Sequence, residues 1–288
     1  MPGIGYHTDA FNSSNWNFEQ CLVWAKDHQL KLIECGTIDG TAYIQSLGYY
    51  PHLSLLEDPM LWRKKMDEYG IRFSQLDAAY PLSRMDGLTV GVQYVHRAVR
   101  WAAQIGCPCI DTTDDKHKPQ GMSDKEGLAI LRQAYGEILK VAEAHKIIIN
   151  CEPHGYFTTK PKFMTEILNF YPSPYLRMNM DTGNTFIAGQ DPVAFVEQFK
   201  DRISHVHVKD VSESLAKAAR GDLTGIAMSQ CAIGEGVNAD NIKSCLGILL
   251  ANGYNGVFSL ECEGNLLEKS LAWVRKTLKE VAPKKKQK

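Results

Sequence analysis

The chain has no window of roughly 18 apolar residues, so a membrane-spanning helix is not expected. It also lacks an excess of positive charge. Its 32 Lys and Arg against 33 Asp and Glu leave a net charge of −1, which argues against a broad nucleic-acid surface. The one dense basic run, Lys284-Lys285-Lys286-Gln287-Lys288 after Pro283, reads as a solvated tail over residues 283–288. No pair of CxxC motifs is present. The cysteines are Cys21, Cys35, Cys107, Cys109, Cys151, Cys231, Cys245 and Cys262, scattered and partly inside apolar runs. Cys107-Pro108-Cys109 falls in a predicted strand and reads as buried thiols. No basic segment followed by an apolar stretch opens the chain, so the expectation is a reduced, soluble, cytoplasmic protein. A glycine-rich phosphate turn after an early strand is also missing. Gly234-Glu235-Gly236 lies far downstream and lacks the helix-opening glycine that a dinucleotide site requires.

What is present is an alternation of short apolar runs with longer amphipathic stretches. The runs predict eight strands over residues 3–7, 31–35, 71–77, 107–112, 147–152, 176–181, 203–208 and 256–261. The stretches between and after them predict helices over 18–27, 59–69, 92–105, 124–145, 162–170, 192–199, 239–252 and 267–280. Ser123 three residues before Glu126 has capping-box spacing. Asp191-Pro192 places a cap before a first-turn proline, and Asn252-Gly253 reads as a helix stop. Eight consecutive βα units imply an α/β chain whose parallel strands close into a single (β/α)8 TIM barrel, here over residues 1–282. An open doubly wound sheet would carry the phosphate turn that is lacking. Two longer insertions rise on the C-terminal face, where barrel active sites sit. One covers residues 36–58, with Tyr43, Tyr49, Tyr50 and His52. The other covers 211–237, with a short helix over 213–220.

The informative pattern is where polar residues fall. The fifth strand ends in Asn150-Cys151-Glu152, the sixth in Asn179-Met180-Asp181 and the eighth in Ser259-Leu260-Glu261. The seventh contains His205-Val206-His207-Val208-Lys209-Asp210. Four consecutive strands thus each deliver a carboxylate or imidazole at one end. Carboxylates converging in an apolar mouth repel one another and resist burial. A divalent cation removes that conflict by taking them as ligands. Glu152, Asp181, His207 and Glu261 suit manganese first, with magnesium, cobalt, zinc or iron also compatible. Such an ion polarises a carbonyl. A structural reading competes at each position, since one acidic residue at a strand end is often only a helix cap. Four in succession at matching depth favour the metal. His205 shares the strand face of His207, and His207 lies nearer the C-terminal end.

These motifs resemble the xylose isomerase-like barrel superfamily, often called sugar phosphate isomerases/epimerases, along nearly the whole chain. The resemblance implies that Glu152, Asp181, His207 and Glu261 bind one metal ion. By analogy with ketose 3-epimerases, it also implies that Glu152 and Glu261 act as acid and base on opposite substrate faces. Those epimerases carry a histidine three residues after the sixth-strand aspartate, where this chain has Asn184. His154, two residues beyond Glu152, instead looks like the histidine base of the large subunit of C-glycoside deglycosidases, which act on 3-oxo-glucosides. Inositol-catabolism dehydratases and 3-keto-glycoside epimerases share the wider pattern. DNA repair endonucleases of the same group use many histidines and several zinc ions, which the nine scattered histidines here do not match.

The expected chemistry is therefore proton abstraction beside a keto-sugar carbonyl. Glu152, Glu261 and His154 are the candidates for proton transfer. Lys209, His205, Asn184, Glu34, Asp111 and His7 are expected to bind substrate. Lys209 has a structural alternative, an ion pair with Glu235 or Asp181. Glu263 is expected to support the ligands from behind, and Tyr6, His7, Trp16 and Phe157 to form a stacking wall. An isomerase or epimerase is the first reading. A lyase working with a small β-rich subunit, and a sugar-binding barrel without turnover, are the alternatives. The partner expected is a small carbohydrate, with neither nucleic acid nor membrane. A homo-oligomer fits the resemblance, since members form dimers or tetramers.

Overall fold

A computed structural model describes residues 2–12, 16–39, 51–221 and 230–283. Its strands are β1 (Gly3–Tyr6), β2 (Leu32–Ile38), β3 (Leu53–Ser54), β4 (Arg72–Asp77), β5 (Cys109–Thr112), β6 (Ile148–Cys151), β7 (Leu176–Asp181), β8 (Ile203–Val208) and β9 (Val257–Leu260). They pair in the order β1-β9-β8-β7-β6-β5-β4-β2-β3, every pair parallel. A parallel bridge between His7 and Glu34 brings β1 back beside β2 and closes eight strands into a TIM barrel. The two-residue β3 adds outside the ring at β2.

The helices are α1 (Phe18–Asp27), α2 (Pro59–Tyr69), α3 (Val90–Ile105), α4 (Asp124–His145), α5 (Pro161–Leu168), α6 (Thr182–Ile187), α7 (Pro192–Phe199), α8 (Glu213–Ala219), α9 (Ala239–Ala251) and α10 (Leu267–Val281). The predicted caps are present. Ser123 and Glu126 form a reciprocal capping box, and Asp191 accepts from the backbone of Val193 and Ala194. In α3 the buried Val92, Val95, Val99 and Ala102 recur at helical spacing and turn one face to the strands. Each of these buried valines contributes about 1.5–3 kcal/mol relative to exposure. Seven of the eight thiols are buried. Among the described residues no helix is long and apolar enough to cross a membrane.

Two departures from the sequence expectation stand out. The fourth barrel strand starts at Cys109, because Pro108 has no N–H for the ladder and the Cys107 thiol donates to the Cys109 carbonyl. An unexpected helix, α6, starts directly after β7, capped by Asp181 itself. Tyr43, Tyr49, Tyr50 and the tail 284–288 lie outside the described residues.

The insertion after β8 is fastened by one carboxylate. Asp210 accepts the backbone N–H of Val211 and Asn238 on Oδ1, and of Gly234 and Gly236 on Oδ2. Both ends of the insertion thus converge on a single buried side chain.

Candidate metal centre and the barrel mouth

Strand alternation sends every second side chain of a barrel strand inward. At the C-terminal mouth this brings together Glu152 just after β6, Asp181 at the end of β7, His207 on β8 and Glu261 just after β9. One donor atom from each lies within 4.8 Å of all the others. His207 Nδ1 is 3.0 Å from Glu152 Oε1, 3.4 Å from Glu261 Oε2 and 3.8 Å from Asp181 Oδ2. Asp181 Oδ2 and Glu261 Oε2 are buried without a hydrogen-bond partner. Buried acceptors left in this state are costly. A hard divalent cation would satisfy both, so three carboxylates and one imidazole fit such an ion.

The other nitrogen of His207, Nε2, sits 2.9 Å from both oxygens of Glu34 on β2. Gln75 Nε2 also donates to Glu34 at 2.8 Å. Glu34 therefore accepts the Nε2 proton and leaves Nδ1 facing the carboxylate cluster, the arrangement that orients a metal-binding histidine. Burial opposes ionisation of Glu34, but His207, His205 and His7 outweigh it and hold its carboxyl well below the usual range. Burial likewise opposes charge on His207, yet Glu34, Asp181, Glu152 and Glu261 raise its pKa well above that of free histidine. Beneath Glu34 the polar chain continues. Asn150 Nδ2 donates to Gln75 Oε1, and the Ser204 hydroxyl donates to Asn150 Oδ1. His205 lies in this lower layer, 3.2 Å from both Ser74 and Asn179. Burial pushes its pKa down to about 4. It is set below the mouth rather than in it.

Lys209 answers the excess negative charge. Its ammonium lies 2.8 Å from Glu261, 3.5 Å from Asp181 and 3.2 Å from Asn184 Oδ1. Of its two expected partners, Asp181 is beside it, whereas Glu235 pairs with Lys269 on the rim. Asn184 also donates to Glu152 at 3.3 Å. Burial raises the Glu261 carboxyl to about 8 despite Lys209 and His207. It opposes ionisation of Asp181 too, but there Lys209 and His207 prevail and the pKa falls.

His154 Nδ1 lies 3.6 Å from the second oxygen of Glu152. Its loop is held from behind. Asp114 accepts the Phe157 N–H and the Thr158 hydroxyl, and Thr158 Oγ1 accepts the N–H of His154 and Gly155. Gly155 is required there, since a Cβ would fall 2.1 Å from Asp114 Oδ1. Burial lifts Asp114 to about 6.

The opposite side of the mouth carries His7, Asp9, Asp77 and Asp111. His7 Nδ1 pairs with Asp9 at 2.9 Å, and Nε2 is 4.0 Å from Asp77. Burial lowers the pKa of His7, but Asp9 and Glu34 overcome it and raise it to about 10. Asp77 and Asp111 are aligned on neighbouring strands, so both face inward. Burial lifts Asp77 to about 6. Burial first, and Glu152 second, push Asp111 well above the usual carboxylate range.

Several expected site residues lie elsewhere. Tyr6 points outward from β1, its hydroxyl bonded to the Cys21 carbonyl of α1. Phe157 is fully buried against Tyr156 and Phe163. Trp16, by contrast, lies in the segment that leaves β1 at its C-terminal end and stacks on Phe11 with ring centroids 4.0 Å apart. Glu263 is exposed. The sequence pattern does not single out Gln75, Asn150, Asn179, Asp77 or Asp114. The signal it offers is i, i+2 alternation, of Gln75 with Asp77, Asn150 with Glu152 and Asn179 with Asp181.

A closed barrel with an acid-and-histidine mouth defines a class of protein, and the comparisons give the family. The chain belongs to the xylose isomerase-like TIM barrel family, whose match spans residues 24–277. An inosose dehydratase of Clostridium tetani is 29% identical over 87 residues, which span 29% of this chain and 29% of that protein. Among solved structures, a D-tagatose 3-epimerase-like protein superposes with a TM-score of 0.75 at 19% identity, covering 97% of this chain and 98% of the other. The IolI protein, solved with a bound zinc atom, gives 0.72 at 15% identity over 97% and 96%. At such identities these structures share the fold.

Proposed function

We propose that this protein is a divalent-metal-dependent sugar isomerase or epimerase that moves a proton next to a carbonyl. The carrying observation is the set of four donor atoms within 4.8 Å, two of them buried oxygens with no hydrogen-bond partner. Glu152, Asp181, His207 Nδ1 and Glu261 would hold the ion, manganese being the first to test. When bound, such an ion supplies Lewis-acid polarisation of a carbonyl oxygen.

The protein's own groups account for the proton. Glu152 and Glu261 approach His207 from β6 and β9, with β7 and β8 between them. A carboxylate on one side of a substrate takes the proton from the carbon beside the carbonyl. A protonated carboxyl on the other side returns one. Glu261, whose carboxyl burial raises in the metal-free protein, is the candidate for the donor role. Lys209 balances the charge that moves between them. Return of the proton to the same carbon inverts a centre, and return to its neighbour shifts the carbonyl.

A second reading is dehydration, in which a hydroxyl β to the carbanion departs as water. Two observations favour it: the inosose dehydratase relatives, and His154 beside Glu152 as a further proton carrier.

The common step is exchange of the substrate proton with solvent. Manganese-loaded protein in D2O, given free ketoses, 3-oxo-glucosides and inososes, should incorporate deuterium beside the carbonyl of one class, read by NMR. Glu152→Gln and Glu261→Gln should each lower that rate by about 10²–10⁴-fold. Full activity in either variant would remove the assignment.

A further inference from the structure

Asp111 stands apart in the mouth. It is 1% exposed, and neither of its carboxyl oxygens has a hydrogen-bond partner. Its register beside Asp77 and Asn150 turns it into the barrel, on the side facing Glu152. A buried carboxyl with two empty acceptors destabilises the fold unless something else brings donors to it. Asp181 and Glu261 have the metal to answer theirs, but Asp111 is not among the four clustered donors.

The donors must come from a ligand, and the charge around the mouth says what kind. Segments 7–17, 36–58, 182–191 and 261–266, which follow β1, β2, β7 and β9, contain no Lys or Arg. Lys209 is already held by Glu261 and Asp181. On the Asp111 side, Lys118 is paired with Asp124 at 2.7 Å, Arg84 with Asp86 at 3.2 Å, and Lys160 lies on the Tyr156 ring, 3.1 Å from its centroid, while Lys116 is exposed to solvent. A phosphate beside Asp111 would therefore face the carboxyls of Glu152, Asp77 and Glu34 as well, opposed by the imidazole of His207.

Given that the mouth is a carbohydrate site, we propose that Asp111 is a hydroxyl-binding residue that selects an uncharged polyol and rejects phosphorylated sugars. Its carboxyl hydrogen-bonds hydroxyl groups remote from the reacting carbonyl. Loss of Asp111 therefore weakens sugar binding and relieves the metal-free fold of a buried, unmatched group, whereas a structural carboxyl would give the opposite stability change.

The test uses full-length protein loaded with manganese, whose paramagnetism broadens NMR lines of nearby ligand protons, with magnesium as the diamagnetic control. The probes are D-fructose and myo-inositol, their monophosphate esters and 1-amino-1-deoxy-D-fructose. A neutral sugar should be broadened more strongly than its phosphate. Asp111→Asn should bind it about ten-fold more weakly or worse, with an unchanged or higher Tm. Asp111→Ser supplies a second, smaller variant should the first misfold. Tighter binding of a phosphate ester would overturn the proposal. So would tighter binding of the amine, which would mark a cation subsite. Wild-type sugar affinity in both variants, or no neutral sugar bound at all, would overturn it as well. Manganese affinity, measured by EPR on the same samples, separates this outcome from failure of the metal site. If manganese does not bind, saturation-transfer NMR on the metal-free protein reads the subsite alone.

Discussion

Glu34 holds the Nε2 side of His207 with both carboxylate oxygens at 2.9 Å, across the seam where the barrel closes. A positioning carboxylate of this kind sets which nitrogen faces the metal. Glu34→Gln should lower manganese affinity by about 10–100-fold while leaving the far-UV circular dichroism unchanged. Titration by EPR checks it, and an unaltered affinity would detach Glu34 from the site.

Lys209 makes a second prediction. Its ammonium is the buried counter-charge to Glu261 and Asp181. Lys209→Met leaves those carboxylates facing one another, which should cost the metal-free protein about 3 kcal/mol. Manganese should recover more stability in the variant than in the wild type, because it replaces the missing charge. Thermal melts with and without the ion decide this. Equal metal-induced shifts would refute it.

Asp114 predicts a pH dependence. Its folded pKa, about 6, lies above that of an unfolded aspartate, near 3.9. Between those values the folded chain holds a proton that the unfolded chain has lost. Stability from this group therefore falls as pH rises from about 4 to about 6, by about 3 kcal/mol in all, and stays low above that. Asp114→Asn should flatten that limb in urea titrations across the range. A wild-type slope in the variant would assign the dependence to other groups.

Gly155 faces the same carboxylate. A Cβ there would lie 2.1 Å from Asp114 Oδ1 and push the loop carrying His154 away from Glu152. Gly155→Ala should cost about 1–3 kcal/mol of stability by overpacking. It should also reduce deuterium exchange if His154 assists. Wild-type stability would mean that the loop yields without strain.

The sequence showed the barrel and the convergence of Glu152, Asp181, His207 and Glu261, because each ends an apolar strand and one βα unit repeats between most of them. It did not show the service of Glu34 to His207. That contact joins β2 to β8 and exists only once the ring closes. Tyr6 and His7 illustrate a different failure. Adjacent residues on a strand face opposite ways, so an inward His7 sends Tyr6 out to α1. The two could never have lined one wall together. Helix α6, only six residues long, is too short to leave a periodic signal.

Because Asp210 grips the start and finish of the β8 insertion with one side chain, the stretch between those anchor points is a cassette. Its described residues also lean on α6, where Arg220 donates to the Phe186 carbonyl and the Gly221 N–H to that of Ile187. The same fastening ties any movement of the cassette to the residue next to Lys209.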